Sequence, residues 1–277
     1  MIKRLLENIA KWIAGSPFLW KLSTPLIYLS NHIQANKKNN TPQEVALNPF
    51  LIQHLGKPVV KNGPFRGMVY PSFQSVGSTI FPKIIGSYEA ELHATIETLI
   101  GRRFEHVYDV GCAEGYYAIG FALRNPEAKI FAYDINDTAR TLCGQMSVLN
   151  HVEERVHVET AFTQETFKQI PQGKDTLIIC DCEGYELDLF TESCLPYLVH
   201  TTLLIETHDF LNPEISIQLQ QLLGKSHAIQ FIQSTDDILK AKYYSYKELE
   251  GLDIRQRREA VKEMRPAIME WIVAVPK

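Results

Sequence analysis

At 277 residues the chain is long enough for a catalytic domain of about 180 to 200 residues with an accessory segment, the arrangement expected here. Its 45% hydrophobic and 22% charged residues are ordinary for a globular protein and exclude a disordered or fibrous chain. The 28 basic and 32 acidic residues leave a formal charge of -4, which provides no broad positive field, and no nucleic acid is expected as a partner.

Ile2, Leu5, Leu6, Ile9, Trp12 and Ile13 recur at helical spacing among Lys3, Arg4 and Lys11, which predicts an amphipathic helix. The next apolar stretch, 18–33, is interrupted by Lys21, Pro25 and His32 and falls short of the roughly 20 apolar residues of a membrane span. An N-terminal helical extension over 1–40 is therefore expected, with 1–33 as a hairpin packed on the main domain. Peripheral membrane contact or dimerisation through 1–33 is the alternative. The start lacks the compact apolar core of a cleavable signal peptide, so a cytoplasmic location is expected, with membrane association as the variant. The five cysteines, Cys112, Cys143, Cys180, Cys182 and Cys194, are odd in number and lack zinc-site spacing, which fits free thiols.

Residues 41–87 form the expected cap or lid, because glycines and prolines crowd 57–87 and signal turns. A helix is predicted over 88–103. The main domain, 88–277, then alternates, with strands at 106–110, 129–133, 156–160, 176–180, 202–206, 228–232 and 270–275. Helices are predicted at 116–124, 138–149, 164–169, 186–198 and 213–223. Strands separated by helices of this length require an α/β fold with a mostly parallel sheet and right-handed crossovers. The last strand follows a charged excursion over 236–269, which predicts a seventh, antiparallel member.

The first strand ends in Asp109-Val110-Gly111-Cys112-Ala113-Glu114-Gly115 and passes straight into a helix. In an open parallel sheet this is where a cofactor approaches, and Gly111 and Gly115 are read as permitting that approach. A dinucleotide fold would carry GxGxxG. An acidic residue at the strand end repels a pyrophosphate but suits the ammonium and sulfonium of S-adenosylmethionine. Asp134, 23 residues beyond Gly111, closes the second strand where a carboxylate accepts both ribose hydroxyls. Glu114 reads as a solvated first-turn acid.

From Gly86 onward the chain resembles the FkbM-type class I methyltransferases. The resemblance is carried by Gly86-Ser87-Tyr88-Glu89, by the glycine loop, and by Asp181-Cys182-Glu183-Gly184-Tyr185-Glu186 after the fourth strand. It implies a Rossmann-like seven-stranded methyltransferase sheet, mostly parallel with an antiparallel last strand, and methyl transfer to a hydroxyl. It also implies that Tyr88 and Glu89 help close the cofactor pocket. The cofactor-binding set expected is Asp109, Gly111, Cys112, Gly115, Tyr116, Asp134, Ile135 and Glu89.

An aliphatic hydroxyl is a poor nucleophile at neutral pH, so a base or a metal must assist the transfer. Asp181 and Glu183 follow the fourth strand, and Glu206, His208 and Asp209 follow the fifth. Asp181, His208 and Glu183 are the catalytic candidates, with the base either His208 or Asp181. Asp209 reads equally as a helix cap, and Glu183 and Glu186 as helix-start acids. No resident metal is expected, although Asp181, Glu206 and His208 could alternatively hold magnesium. The expected acceptor is a small-molecule, sugar or lipid-linked hydroxyl. N-methylation of nucleic acid or protein, or a non-catalytic module retaining the fold, are the competing readings, and the fourth-strand motif lacks the Asp/Asn-Pro-Pro-aromatic run of enzymes that methylate flipped bases.

Overall fold

A computed structural model describes residues 48–173 and 175–277, so the expected N-terminal extension, its hairpin and its membrane or dimer contacts lie outside the described residues. In chain order α1 (Pro49–Leu55) and α2 (Ile80–Ile85) lead through a 3-10 turn to α3 (His93–Gly101). Then follow β1 (His106–Val110), α4 (Tyr116–Arg124), β2 (Lys129–Tyr133), α5 (Asp137–Leu149), β3 (Val156–Glu159) and α6 (Gln164–Phe167). The remainder is β4 (Thr176–Cys180), α7 (Glu186–Leu189), β5 (Thr201–Thr207), α8 (Ile215–Leu223), β6 (His227–Gln233), α9 (Asp237–Tyr243), α10 (Ile254–Val261) and β7 (Glu270–Pro276).

The strands form one seven-stranded sheet in the order β3-β2-β1-β4-β5-β7-β6. All pairs are parallel except those of β7, which runs against both β5 and β6, as the resemblance implied. Because successive strand residues face opposite sides, each strand feeds two cores. Val107, Ile130, Leu177, Ile179 and Leu204 pack on one face, and Tyr108, Val110, Ile178, Cys180 and Ile205 on the other. That double burial is why these strands read as continuous apolar runs.

The helix expected over 186–198 is instead a single turn, α7, followed by a 3-10 segment at Glu192–Tyr197 that contains Pro196. A proline there has no N–H for an α-helical bond and would clash with the carbonyl four residues earlier. The helix expected from Tyr88 begins only at His93, because Glu89 adopts a left-handed backbone with φ of 47°. The charged excursion holds α9 and α10, capped by Asp236 and Asp253. All five cysteines are unbridged. No helix of the described residues is long and apolar enough to cross a membrane.

The expected lid joins the main core. Leu51, Val60, Phe65, Met68, Tyr70, Ile84 and Ile85 are buried in the same cluster as the β1 and β2 side chains. Its anchor is Glu114, which the sequence reading placed in solvent but which is buried at 1% exposure. Lys83 Nζ lies 2.5 Å from Glu114 Oε1, and Ser75 Oγ and the Val76 N–H, both at 3.0 Å, also donate to that carboxylate. Local sequence could not show this, because every partner arrives from 31 or more residues away. Both charges are out of water, so removing one strands the other. Lys83→Met is expected to cost about 3 to 5 kcal/mol in urea unfolding, and the double variant Lys83→Met/Glu114→Gln to recover part of it.

Candidate active site

Strand register lines up the chemistry. Val110 pairs with Tyr133 and Cys180, and Cys180 with Ile205, so the next residues, Gly111, Asp134, Asp181 and Glu206, fall along one carboxyl edge. The chain reverses its direction of winding between β1 and β4, where open α/β sheets leave their ligand crevice.

Gly111 has φ of 82°, and a Cβ there would lie 1.7 Å from the Asp181 carbonyl oxygen. At Gly115, φ 96°, a Cβ would meet Cys143 Sγ at 2.8 Å. In both cases the side chain is forbidden by the protein's own atoms, which revises the reason given for these glycines: the loop needs them to lie against β4 and α5. Asp109 is buried, and its Oδ2 accepts the Ala118 N–H at 2.8 Å, fastening the first turn of α4. Burial, reinforced by Asp181 and Asp134 and opposed by that hydrogen bond, pushes its carboxyl up to about 7. Cys112 and Tyr116 are buried as well, with Tyr116 edge-on to Tyr88 at 5.1 Å and to Phe65 at 5.2 Å.

The second strand end is more open. Asp134 Oδ2 accepts the Ala113 N–H at 2.9 Å and Oδ1 the Asn136 N–H at 2.8 Å, which leaves each oxygen a further lone pair. Beside it Ile135 is 86% exposed, a large apolar side chain with nothing over it.

Glu89 belongs to a different grouping from the one expected. Its Oε1 accepts from Arg265 Nη2 at 2.6 Å, and the Tyr117 hydroxyl donates to its other oxygen. The same guanidinium donates to Glu206, and its Nε to Glu263 Oε2 at 3.0 Å. Burial, with help from Glu263 and Asp181 and against Arg265, pushes Glu89 up to about 7. Sequence reasoning missed Arg265, which sits in no motif. The only signal was the surplus of acids at the strand ends, which demands a cation.

His208 follows β5 and is 3% exposed. Its Nδ1 lies 2.6 Å from Glu186 Oε1, and its Nε2 lies 3.4 Å from Asp181 Oδ1 and 3.6 Å from Glu183 Oε2. Burial alone would lower its pKa, but Glu186, Asp181 and Glu183 together push it up to about 9. Asp181 Oδ1 is buried and accepts no hydrogen bond among the described residues. The three catalytic candidates are thus brought together, with Glu186 as a fourth member. Asp209 takes the capping alternative, accepting the Ser216 N–H at 2.9 Å. On the segments after β4 and β5, Tyr185, Phe210 and Leu211 are exposed, and the Phe210 ring centroid lies 6.0 Å from that of His208.

Asp181, Glu206 and His208 each offer a ligand atom within 4.8 Å of the others. As placed, Glu206 is engaged by Arg265.

No family model matches the chain, and no curated protein matches it. Among solved structures it is similar to an O-methyltransferase from Bacillus cereus in complex with SAH, at 12% identity over 65% of this chain and 78% of that one, with a TM-score of 0.45. It is also similar to the O-methyltransferase TomG from Streptomyces achromogenes, involved in tomaymycin synthesis and in complex with SAM, at 9% identity over 70% and 82%, with a TM-score of 0.47. At such identities and scores the fold rests on the sheet order itself, and the site on its own side chains.

His208 has a folded pKa above its unfolded value near 6.5, so the folded state binds its proton more tightly. Its contribution to stability is complete below about pH 6.5 and is lost as pH rises through about 9. Thermal unfolding is therefore expected to move to lower temperature between pH 7 and pH 9.5, and His208→Gln to flatten that slope, as read by calorimetry at each pH.

Proposed function

We propose that the chain is an S-adenosylmethionine-dependent methyltransferase of the FkbM type that methylates a neutral hydroxyl on a small-molecule, sugar or lipid-linked acceptor. The single observation carrying this reading is the histidine at the β5 end, whose Nε2 faces Asp181 and Glu183 along the same edge as the glycine loop and Asp134. The residues fit the cofactor. Asp134 keeps lone pairs for two ribose hydroxyls, Ile135 offers an uncovered apolar surface for an adenine ring, and the acidic edge favours a cation.

When bound, S-adenosylmethionine supplies an electrophilic methyl group on a positively charged sulfur. The chain's task is then to align the acceptor and take one proton. His208 Nε2, once it has shed its own proton, accepts the acceptor's hydroxyl proton as the oxygen is methylated. Asp181 Oδ1, with no hydrogen bond of its own, is placed to accept from a second polar group of the acceptor. Tyr185, Phe210 and Leu211 cover the acceptor's apolar body and keep water off the reacting centre. The carboxylates beside His208 repel phosphate, which favours uncharged acceptors over phosphorylated ones.

Calorimetric titration with S-adenosylmethionine and S-adenosylhomocysteine is expected to give saturable binding that Asp134→Ala weakens at least about tenfold. An absence of saturable heat in the wild type would end the cofactor assignment. A labelled-methyl screen is expected to favour neutral glycans and lipids over phosphorylated counterparts, protein and nucleic acid. With the acceptor in hand, kcat/KM is expected to rise with pH and level off near 9, as His208 loses its resting proton. His208→Ala should lower kcat by about 10²-fold or more without changing S-adenosylhomocysteine affinity.

A further inference from the structure

We propose that Glu186 is a positioning residue that holds the His208 proton on Nδ1, so that the lone pair of the neutral ring lies on Nε2 and faces the acceptor. This rests on the methyl-transfer reading above and adds to it a residue that touches neither donor nor acceptor.

Three carboxylates surround one imidazole, and they compete for its N–H. Asp181 and Glu183 both face Nε2, at 3.4 and 3.6 Å, and on their own would draw the proton of the neutral ring to that nitrogen. The lone pair would then point into the protein and the base would be useless. Glu186 opposes them from the other side. It is fully buried, and its Oε1 is only 2.6 Å from Nδ1, within reach to accept a hydrogen bond from a proton held there. A second bond to this oxygen is made locally, whereas Oε2 is buried with no hydrogen-bond partner among the described residues. The Gly184 N–H donates to the same Oε1 at 3.1 Å, across a turn in which Glu183 and Gly184 both have left-handed backbones, φ 55° and 98°.

The motif spacing acquires a physical meaning from this geometry. Asp181 and Glu183 leave β4 on the acceptor side of the ring, and the turn carries the chain beneath it so that Glu186, opening α7, meets the opposite nitrogen. The other charges about the ring are Glu206, on its own strand end, and Arg265 beyond Glu206. The orphaned Oδ1 of Asp181 marks where the proton-bearing group of a ligand would complete the array.

The test is nitrogen-15 NMR of His208 in the full-length protein, titrated through and above pH 9, together with kinetics of Glu186→Ala and Glu186→Gln. The neutral wild-type ring is expected as the Nδ1–H tautomer. In Glu186→Ala the spectrum should shift toward Nε2–H, the His208 titration should move to lower pH, and kcat should fall about 10²-fold at unchanged KM for the methyl donor. Glu186→Gln, whose amide oxygen can still accept from Nδ1–H, should restore part of the rate. A wild-type ring protonated on Nε2 overturns the proposal even if Glu186→Ala fails to fold, and so does a Glu186→Ala variant with wild-type tautomer and pH profile. The tautomer is read without turnover, so failure of donor binding or methyl transfer bears on the function and leaves this result separate.

Discussion

A carboxylate taken out of water must meet a cation or a row of N–H donors, and that requirement organises the working half of this molecule. Glu114 meets Lys83, Glu89 and Glu206 meet Arg265, Glu186 meets His208, and Asp109 meets the Ala118 N–H. The pairings with Lys83 and Arg265 join stretches far apart in the chain. Lys83 binds the segment ahead of the sheet to the glycine loop, and Arg265 binds the segment ahead of β7 both to the entry of α3 and to the end of β5. The ionic contacts therefore set where the loops stand around the crevice, while the apolar sheet supplies the platform beneath them.

The platform is tightly built at its switch point. Asp181 donates its N–H to the Val110 carbonyl at 2.8 Å, and its own carbonyl lies where a side chain on Gly111 would begin. The glycine loop and the segment after β4 thus lean on each other through backbone alone. That close approach brings Asp181, Glu183 and His208 next to the glycine loop, and it explains the glycine without reference to any ligand.

Charge balance gives the pocket its chemical character. Acidic neighbours push the His208 pKa up to about 9, which favours the fold near neutral pH. Under the proposed methyl transfer, stability and reactivity respond in opposite directions to the same proton. Beside these acids, Tyr185, Phe210 and Leu211 are exposed apolar side chains on the segments that follow β4 and β5.

Periodicity alone located all seven strands and the helices α4, α5 and α8 to within two residues, because these elements bury one stripe or both faces and the burial is written in their apolar spacing. The strand-end acids and His208 were legible for a similar reason, since residues that follow a parallel strand arrive at the same edge whatever the loops do. The lid's attachment through Lys83 and Glu114, the Arg265 hub, the shortness of α7 and the partner of each His208 nitrogen were not legible. The shortness of α7 traces to Pro196, a local signal, whereas the others depend on groups that meet across long sequence separations, where no local spacing records the encounter. Sequence by itself determined the sheet and the edge of it at which the acids and His208 gather. Tertiary structure decided which carboxylate is neutralised by which cation, because the charge of a buried group depends on its neighbours in space.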